Sequence, residues 1–454
     1  MEFGHVVGIV GALGAFLWAG IRANRKVKNA EDFDKAGGRN GVFLVCGALL
    51  GGLIGGQSTV GTAQLAYTYG LGGIWFTLGA GLGCIILCIG YVIPLRRTNE
   101  TTLMEVIANE YGPKAELAGS ILSSFGTLVS VVSNLIAASA LMNILTGCGM
   151  AFGCIIAMIF MCIYVVFGGV IGAGMGGIVK LILLYITAAV CLVFTISLAG
   201  EIGPGTAIDL KLSDLFARGV TKELCNGASL LIGVLSTQAY AQAIWSAKSD
   251  SVARKAALLS GFLTVPVGFG GVLVGLYMRS EMLENPVDAF PMFLMEHVPP
   301  LLGGIGMGAL MITVIAGGGG LTLGVSTIFV RDILSKISPD FKTGRKHLVA
   351  IRLTIICCLI ITGTVAILMP RAIINDLGFL SMGLRGAVVF IPLTISLFFK
   401  KYFRKGAVAL SVAVCPITLL VANMLDLGVE PLLVSVAAGL VTCFAGFRIP
   451  EKEK

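Results

Sequence analysis

The chain has 454 residues, of which 56% are hydrophobic and only 12% are charged, and its mean hydropathy is +0.96. Soluble domains carry about 25% charged residues, so this composition excludes an ordinary soluble protein and indicates an all-α polytopic membrane protein. The net charge of +8 does not indicate a nucleic-acid-binding protein, because the basic residues are divided among short loops and form no single patch.

Thirteen apolar segments follow one another along the chain, most of them close to the roughly 20 residues that a membrane-spanning helix needs. They lie at about 4–21, 41–69, 72–95, 117–145, 149–168, 173–198, 226–247, 251–279, 299–335, 346–369, 371–399, 404–424 and 429–447. The longest outer connections, 199–225 and 280–298, are too short for a separate domain.

Lysine and arginine are concentrated in every second connection, for example in residues 22–39 after the first segment and 336–346 after the ninth. The connections between these are neutral or acidic, such as residues 281–296. Because cytoplasmic loops of membrane proteins carry the excess of lysine and arginine, this alternation predicts an N-terminus outside the cell and a cytoplasmic C-terminal EKEK tail. An odd number of spans connects those two sides, and thirteen is odd.

Two glycine-rich stretches interrupt the apolar segments. The sequence GALLGGLIGGQSTVGT, residues 47–62, lies in the second segment, and four glycines, residues 317–320, lie in the ninth. A glycine inside a helix costs about 0.5–1 kcal/mol relative to alanine, and broken backbone at membrane depth is tolerated only where it is buried in protein or lines a cavity. Both stretches are therefore candidates for discontinuous helices at a transporter binding site. Alternatively, the glycines allow neighbouring helices to pack closely.

Polar residues within the apolar segments occur in three groups. They are Gln57, Ser58 and Thr59; Ser130, Ser133 and Asn134; and Thr237, Gln238, Tyr240 and Gln242. Polar groups inside a membrane need partners, so such groups mark an aqueous pathway or a seam of hydrogen bonds between helices. We interpret the first and third groups as parts of a transport site, whereas the serines of the second could bond to their own helix.

Four motifs occur along the chain in the order GQSTVGTAQLAYTYGLGGIWF with PLRRTNETTLMEVIANEYG, TQAYAQAIWSAKSDSVARKAALLSG, GVSTIFVRDIL and LRGAVVFIPLTISLFFKK. The first resembles the first broken helix, second helix and following loop of the sodium:solute symporter family. The others resemble that family's helix 6–7 junction, the end of its helix 8, and its helix 10. The resemblance covers residues 25–400 and keeps the order of the family's motifs.

The resemblance implies a LeuT-type fold with two inverted five-helix repeats, here residues 41–198 and 226–399, joined by the outer loop 199–225. A leading helix and cytoplasmic loop, residues 1–40, would precede the repeats, and two trailing helices with a cytoplasmic tail, residues 400–454, would follow. It also implies secondary transport of a small-molecule solute across the plasma membrane by alternating access, usually coupled to sodium. No cofactor and no nucleic acid is expected; the lipid bilayer is the other partner, and the oligomeric state is left open.

The family's sodium ion typically lies between carbonyls of unwound helix 1 and residues of helix 8. Carried over by position, the helix 1 carbonyls are those of Gly51 and Ile54, and the helix 8 carbonyl is that of Thr313. The family's pair of helix 8 hydroxyls falls on Ala316 and Gly317, which have none. The sequence therefore predicts that the usual sodium site is lost, unless a shift of one turn lets a threonine supply a ligand.

The stretch of this chain that corresponds to helix 5 of the family also departs from the family pattern. Family members commonly read Thr-Asp-x-x-Gln, whereas residues 176–180 read GGIVK, so Gly177 replaces the acid and Lys180 follows on the same helical face. Two unit charges 4 Å apart repel by about 4 kcal/mol at an effective dielectric constant of 20, so a lysine here would oppose sodium. We hypothesise that Lys180 fills the sodium space and, because burial disfavours the charged amine, loads and releases a proton. Alternatively, Lys180 extends to the membrane interface.

Arg385 is the other charge at membrane depth, midway along helix 10, and no carboxylate occurs at comparable depth in any segment. Two unpaired cations in a cavity favour an anionic solute; alternatively, Arg385 binds carbonyls of the broken helices as a structural clamp. The candidate solute-binding residues are Gln57, Ser58, Ser133, Thr237, Gln238, Tyr240, Phe379 and Arg385.

Three other functional classes fit the sequence less well. An intramembrane enzyme is not expected, because His5, His297 and His347 lie at the ends of segments and no HExxH motif occurs. A channel would usually show a repeated filter loop, and a transporter-like sensor would need an attached signalling domain. We therefore expect a secondary transporter of a small polar or anionic organic solute that is coupled to H+ or uncoupled, with an ordinary Na+ symporter as the alternative.

Overall fold

The computed structural model describes residues 2–24, 38–199, 214–341, 344–370, 372–425 and 429–448. Within these ranges the regular structure is helical apart from two isolated bridge pairs. Most of the basic connection predicted at 22–39, much of the outer loop 199–225 and the EKEK tail lie outside the described residues.

The helices are labelled here in chain order. They are α1 Phe3–Asn24, α2 Val42–Leu53, α3 Val60–Tyr69, α4 Trp75–Ile86, α5 Leu103–Tyr111, α6 Pro113–Thr146, α7 Met150–Ala199, α8 Val220–Leu235, α9 Gln238–Trp245, α10 Asp250–Met278, α11 Ala289–Glu296, α12 Pro300–Ile328, α13 Gly344–Leu368, α14 Ile374–Thr394, α15 Lys405–Leu425 and α16 Pro431–Phe444. Helices α4, α12 and α14 each continue into a π-helical turn, at Leu87–Tyr91, Phe329–Leu334 and Ile395–Phe399 respectively.

Eight helical stretches among the described residues are long and apolar enough to cross a membrane, and four shorter apolar helices accompany them. The predicted segments 149–168 and 173–198 both lie within the single 50-residue helix α7, and α8 begins at Val220, earlier than the predicted position 226. The all-α membrane architecture is confirmed. The count of thirteen spans, the sidedness of the termini and the boundaries of the repeats remain predictions.

Helices α2 and α3 are separated by a non-helical break at residues 54–59, where the glycine-rich sequence indicated one. Hydroxyl groups in the break satisfy carbonyls that no longer have helical partners. Ser58 Oγ donates to the carbonyl of Leu53 (3.2 Å), and Thr59 Oγ1 donates to that of Gly55 (3.0 Å). The break is therefore a defined, hydrogen-bonded structure buried in the protein, as broken backbone at membrane depth must be.

A second break, at Ser236–Thr237, separates α8 from α9. The Thr237 hydroxyl donates to the carbonyl of Gly233 one turn earlier, at 2.6 Å. The two interrupted helices occupy corresponding positions in the two predicted repeats. Pairs of interrupted helices at such positions are typical of transporters, in which the binding site lies between them.

The four glycines of the ninth segment do not break it, because α12 is helical throughout residues 317–320. A Cβ built on Gly317 would lie 2.8 Å from the Cα of Gly55, and one built on Gly320 would lie 3.5 Å from the Cα of Gly52. The expectation of a discontinuous ninth helix is wrong. The alternative of close packing is confirmed, since the missing side chains let α12 lie directly against the break after α2.

Candidate functional site

The side chain of Lys180 ends against the C-terminal end of α2. The residue is 0% exposed, and its Nζ donates hydrogen bonds to the carbonyls of Leu50 (3.1 Å), Gly51 (2.9 Å) and Ile54. An ammonium group has three donors and no acceptor, so three carbonyls satisfy it. The last carbonyls of a helix also carry the negative end of its dipole. The structure thus places a side-chain cation on the two carbonyls, Gly51 and Ile54, that the family resemblance assigns to an ion.

Glycine at position 177 allows α7 to come close enough to α2 for this contact. A Cβ built on Gly177 would overlap the carbonyl oxygen of Gly47, so a side chain fits there only if the two helices separate. Gly177 and Lys180 lie just under one helical turn apart, so both face α2. Backbone therefore occupies the space in which the family resemblance would place an acidic side chain.

Helix α12 lies on the other side of the break and directs few side-chain oxygens towards it. Ala316 packs against α1 in an apolar cluster that includes Phe16, and Gly317 has no side chain. The hydroxyl of Thr313 donates to the carbonyl of Ala309 in its own helix (2.6 Å). The next threonine of α12 makes the equivalent bond to its own helix.

Arg385 is fully buried in α14 and is bound only by neutral oxygens among the described residues. Its guanidinium group donates to the hydroxyls of Thr237 (2.9 Å), Ser130 (2.9 Å) and Ser381 (3.0 Å), and to the Ser381 carbonyl (3.2 Å). These bonds connect α14 with α6 and with the break between α8 and α9. They hold the guanidinium in place without neutralising its charge.

Gln57, in the first break, shares Ser130 with Arg385. Its Nε2 donates to the hydroxyls of Ser133 (2.6 Å) and Ser130 (3.2 Å). Ser133 in turn donates to the Ser130 carbonyl of its own helix (2.8 Å), and Asn134 accepts a bond from the backbone amide of Gly56 (2.8 Å). Helix α6 therefore supplies side chains that hold the break in its non-helical conformation.

Tyr240 and Phe379 lie beside these groups. The Tyr240 hydroxyl donates to the carbonyl of Gly52 at 3.4 Å, and the Phe379 ring lies 5.6 Å from the ring of Phe76. Ser58 uses its hydroxyl within the first break, as described above. We define the polar cluster as Gln57, Ser130, Ser133, Thr237, Tyr240, Ser381 and Arg385, all of which are buried.

Gln238 is not part of the polar cluster. Its side chain donates to the carbonyl of Thr101 (2.9 Å) and accepts a bond from the backbone amide of Leu103 (2.9 Å), at the start of α5. Residues two apart in a helix point about 200° away from each other, so Gln238 and Tyr240 leave α9 in nearly opposite directions. Gln238 joins α9 to the connection before α5.

Arg218, which the sequence did not single out, lies against the Phe379 ring. Its guanidinium group pairs with Glu223 (2.8 Å) and Asp376 (3.1 Å), and it lies 5.4 Å from the ring centroid of Phe379 and 5.5 Å from that of Tyr69. Burial lowers the pKa of Arg218, but the hydrogen bond to Glu223 and the charges of both acids outweigh this and raise it. Asp376 is 158 residues from Arg218 in the chain, so local sequence patterns carry no signal for this contact.

Asp332 joins three elements at another point around the bundle. Its carboxylate accepts bonds from the hydroxyls of Thr102 (2.8 Å) and Ser120 (3.2 Å), which connect the π-helical turn after α12 to α5 and α6. Thr102 is also the N-cap of α5 and forms a capping box with Glu105. Together with the Gln238 bonds, this arrangement fixes the start of α5 against α9 and the end of α12.

Comparisons with known proteins agree on one class. The sequence model of the sodium:solute symporter family matches residues 35–413. The high affinity choline transporter 1 of Homo sapiens is 23% identical over 436 aligned residues, which cover 89% of this chain and 75% of that protein. A Na+-coupled sialic acid symporter in a substrate-bound outward-open state is similar with a TM-score of 0.79 at 16% identity, covering 98% and 97% of the two chains.

A nucleobase-cation-symport-1 family transporter with bromovinylhydantoin bound is similar with a TM-score of 0.59 at 12% identity, covering 91% of this chain and 92% of that chain. At such identities the two structural matches show the fold alone. They confirm the LeuT-type fold that the sequence motifs implied.

Proposed function

This chain belongs to the sodium:solute symporter family, and we propose that it is a secondary transporter in which the ammonium group of Lys180 replaces the usual coupling sodium ion. Its family and fold make it a multi-pass membrane protein of the transporter class. The solute is a small polar or anionic organic molecule that moves by alternating access through the polar cluster. Transport is coupled to protons or is uncoupled.

The observation that carries the proposal is the set of three hydrogen bonds from Lys180 Nζ to the carbonyls of Leu50, Gly51 and Ile54. A sodium ion on the same carbonyls would have to displace the ammonium group or share the space with a second unit charge. At 4 Å that repulsion is about 4 kcal/mol at an effective dielectric constant of 20, which corresponds to roughly a thousandfold loss of affinity. The absence of side-chain oxygens at Ala316, Gly317 and Gly177 weakens sodium binding further.

Proton coupling depends on what happens to Lys180 when the broken helix moves. In the structure its three partners are acceptors, so they favour the ammonium form over the neutral amine. If α2 moves away during transport, a buried amine without these acceptors favours release of its proton. A cycle with that step carries one proton, whereas a cycle in which Lys180 stays bound is uncoupled.

Two buried cations, at Lys180 and in the polar cluster, support a polar or anionic solute. Lys180 and Arg385 are both fully buried, and no carboxylate among the described residues pairs with either. An unpaired buried cation attracts an anionic group and repels a cationic one. The choline named for the human relative is a cation, so we do not propose it as the solute of this chain.

A sodium titration tests the proposal without knowledge of the solute. The purified chain in nanodiscs is unfolded thermally while NaCl replaces KCl or N-methylglucamine chloride at constant ionic strength. A ligand of the folded state stabilises it by about 2.7 kcal/mol at a hundred times its Kd. We expect no sodium-specific shift of Tm. A saturable increase with sodium but not with potassium would overturn the proposal and identify an ordinary sodium symporter.

A pH series separates the two forms of the proposal. Thermal stability is measured for the wild type, Lys180→Met and the exposed-site control Lys248→Met. The series runs from about pH 5 to about pH 9, because a buried amine releases its proton at lower pH than an exposed one. A pH dependence that disappears only in Lys180→Met supports proton coupling. Identical pH profiles in all three variants support the uncoupled form.

A further inference from the structure

An apolar groove of about 760 Å³ lies on the outer surface of the bundle, between α6, α12 and α13. Leu128, Val325 and Leu353 are among its lining residues. Leu353 is 58% exposed and Ile361, further along the same helix, is 57% exposed. The groove therefore opens away from the protein, towards the hydrocarbon that surrounds a membrane-spanning helix.

Two basic residues stand at one end of this groove. Arg345 and Lys346 both line it and lie in the first turn of α13. The Nζ of Lys346 lies 2.5 Å from a carboxylate oxygen of Asp340, and both side chains are largely exposed. Arg345 is exposed and makes no hydrogen bond or ion pair with any residue that the structure describes. The end of the groove thus offers a guanidinium group that is available to an external anion.

The dimensions of the groove match one lipid chain. From Val349 to Ile361 its wall follows α13 for twelve residues, or about 18 Å at 1.5 Å per residue. Half of a hydrocarbon core about 30 Å thick is about 15 Å. A chain that enters beside Arg345 therefore reaches the middle of the bilayer within the groove.

We propose that this groove is a binding site for an anionic phospholipid, with the phosphate group at Arg345 and Lys346 and one acyl chain against α13. Basic residues next to an apolar surface at the membrane interface select anionic lipids. The proposal does not rest on the transport mechanism suggested above. The groove nevertheless adjoins the end of α12, because Phe329 and Leu334 also line it. These two residues flank Asp332, which joins the end of α12 to α5 and α6.

Lipid binding to the purified full chain tests the proposal. Native mass spectrometry and thermal unfolding in detergent are carried out with added dioleoylphosphatidylglycerol or dioleoylphosphatidylcholine. We expect saturable retention of phosphatidylglycerol and a higher Tm with phosphatidylglycerol than with phosphatidylcholine. Because each interfacial cation contributes about fivefold to anionic lipid binding, Arg345→Gln/Lys346→Gln should bind phosphatidylglycerol roughly 25-fold more weakly.

The adjacent pair Arg254 and Lys255, exposed in the first turns of α10, provides a matched control with the same change of charge. Arg254→Gln/Lys255→Gln should keep the lipid response; an equal loss in both variants would show non-specific attraction and overturn the site. Leu353→Trp fills the groove without changing charge and should also weaken binding, whereas Val441→Trp, at an exposed position on α16, should not. Equal binding of both lipids, or unchanged binding by Leu353→Trp, would overturn the proposal.

Discussion

The ammonium nitrogen of Lys180 lies 2.9 Å from the carbonyl oxygen of Gly51, a carbonyl that the family resemblance assigns to a sodium ion. Both cations meet the same requirement, because the carbonyls of Gly51 and Ile54, at the C-terminal end of α2, need partners and attract positive charge. They differ in one respect that matters for transport. A sodium ion can leave with the solute and be driven by its gradient, whereas Lys180 is attached to α7 and can contribute only a proton.

Replacing Lys180 with methionine should lower the stability of the folded chain. Leu50 retains its bond from the Ile54 amide, but the carbonyls of Gly51 and Ile54 lose a buried partner, at about 1–3 kcal/mol for each. We therefore expect a loss of about 2–6 kcal/mol, measured by thermal unfolding in nanodiscs. Lys248→Met, at an exposed position, should change stability by less than about 0.5 kcal/mol. Equal effects of the two variants would contradict the importance of the three hydrogen bonds.

Sequence patterns predicted the elements that depend on local composition. The break after α2 follows from the glycines around Gly55 and from the hydroxyl residues that replace helical hydrogen bonds there. The hypothesis that Lys180 lies at Gly51 came from matching residues 176–180 to the family's helix 5, with extension to the membrane interface as the alternative. Neither prediction required knowledge of how distant helices pack.

Other contacts could not be predicted because they depend on tertiary packing or on helix phase. The glycines at 317–320 have the same composition in a broken helix and in a close-packed one, and only the position of α12 distinguishes them. Gln238 and Tyr240 are neighbours in sequence, yet they point to opposite sides of α9. Arg218 pairs with Asp376, which is 158 residues away in the chain.

The close approach of α12 to the first break predicts different outcomes at two glycines. Gly317→Ala should be destabilising by about 1–3 kcal/mol, because its Cβ would lie 2.8 Å from the Cα of Gly55 and backbone must move. Gly320→Ala is the matched control, since its Cβ would meet Gly52 at 3.5 Å, an ordinary contact. It should be neutral or stabilising by up to about 1 kcal/mol through the helix propensity of alanine. Thermal unfolding of both variants checks this, and a reversed order would show that α12 is not in contact with the break.

Thr102 should be more important than an average threonine hydroxyl, because it caps α5 and donates to Asp332. Loss of an N-cap costs about 1 kcal/mol, and loss of a bond to a buried carboxylate adds about 1–3 kcal/mol. Thr102→Val should therefore cost about 2–4 kcal/mol of stability. Thr364→Val, which removes an exposed hydroxyl bonded only to its own helix, should cost less than about 0.5 kcal/mol. Similar melting temperatures for both variants would contradict this role.

Asp288, in the short turn Pro286–Asp288 outside the spans, should make stability depend on pH. Its Oδ1 is buried without a hydrogen-bond partner among the described residues, and burial raises the pKa of Asp288 from 3.8 to about 6. The folded chain therefore holds this proton more tightly than the unfolded chain, and the free energy of unfolding falls as pH rises from about 4 to about 6. Asp288→Asn should remove this part of the pH dependence, while Glu284→Gln at a neighbouring exposed position should keep it. Melting curves at closely spaced pH values measure both, and an unchanged slope in Asp288→Asn would refute the assignment.

The pair of Arg218 and Glu223 should behave as a coupled unit. The two side chains are 5% and 0% exposed and make two hydrogen bonds, of 2.8 and 2.9 Å. Removing one partner of a buried ion pair typically costs about 3–5 kcal/mol because the other charge is left buried, whereas replacing both with apolar residues is often neutral. Arg218→Met should therefore be destabilising by about 3–5 kcal/mol, and Arg218→Met/Glu223→Leu should recover much of that loss. Asp376→Asn, whose carboxylate is 49% exposed, should cost less than about 1 kcal/mol.

A double-mutant cycle by thermal unfolding isolates the coupling between Arg218 and Glu223. If the two single losses simply add in the double variant, the pair is not coupled. If the double variant loses less than the sum, the two side chains stabilise the chain as one coupled pair, in which Arg218 bridges the starts of α8 and α14 above the Phe379 ring.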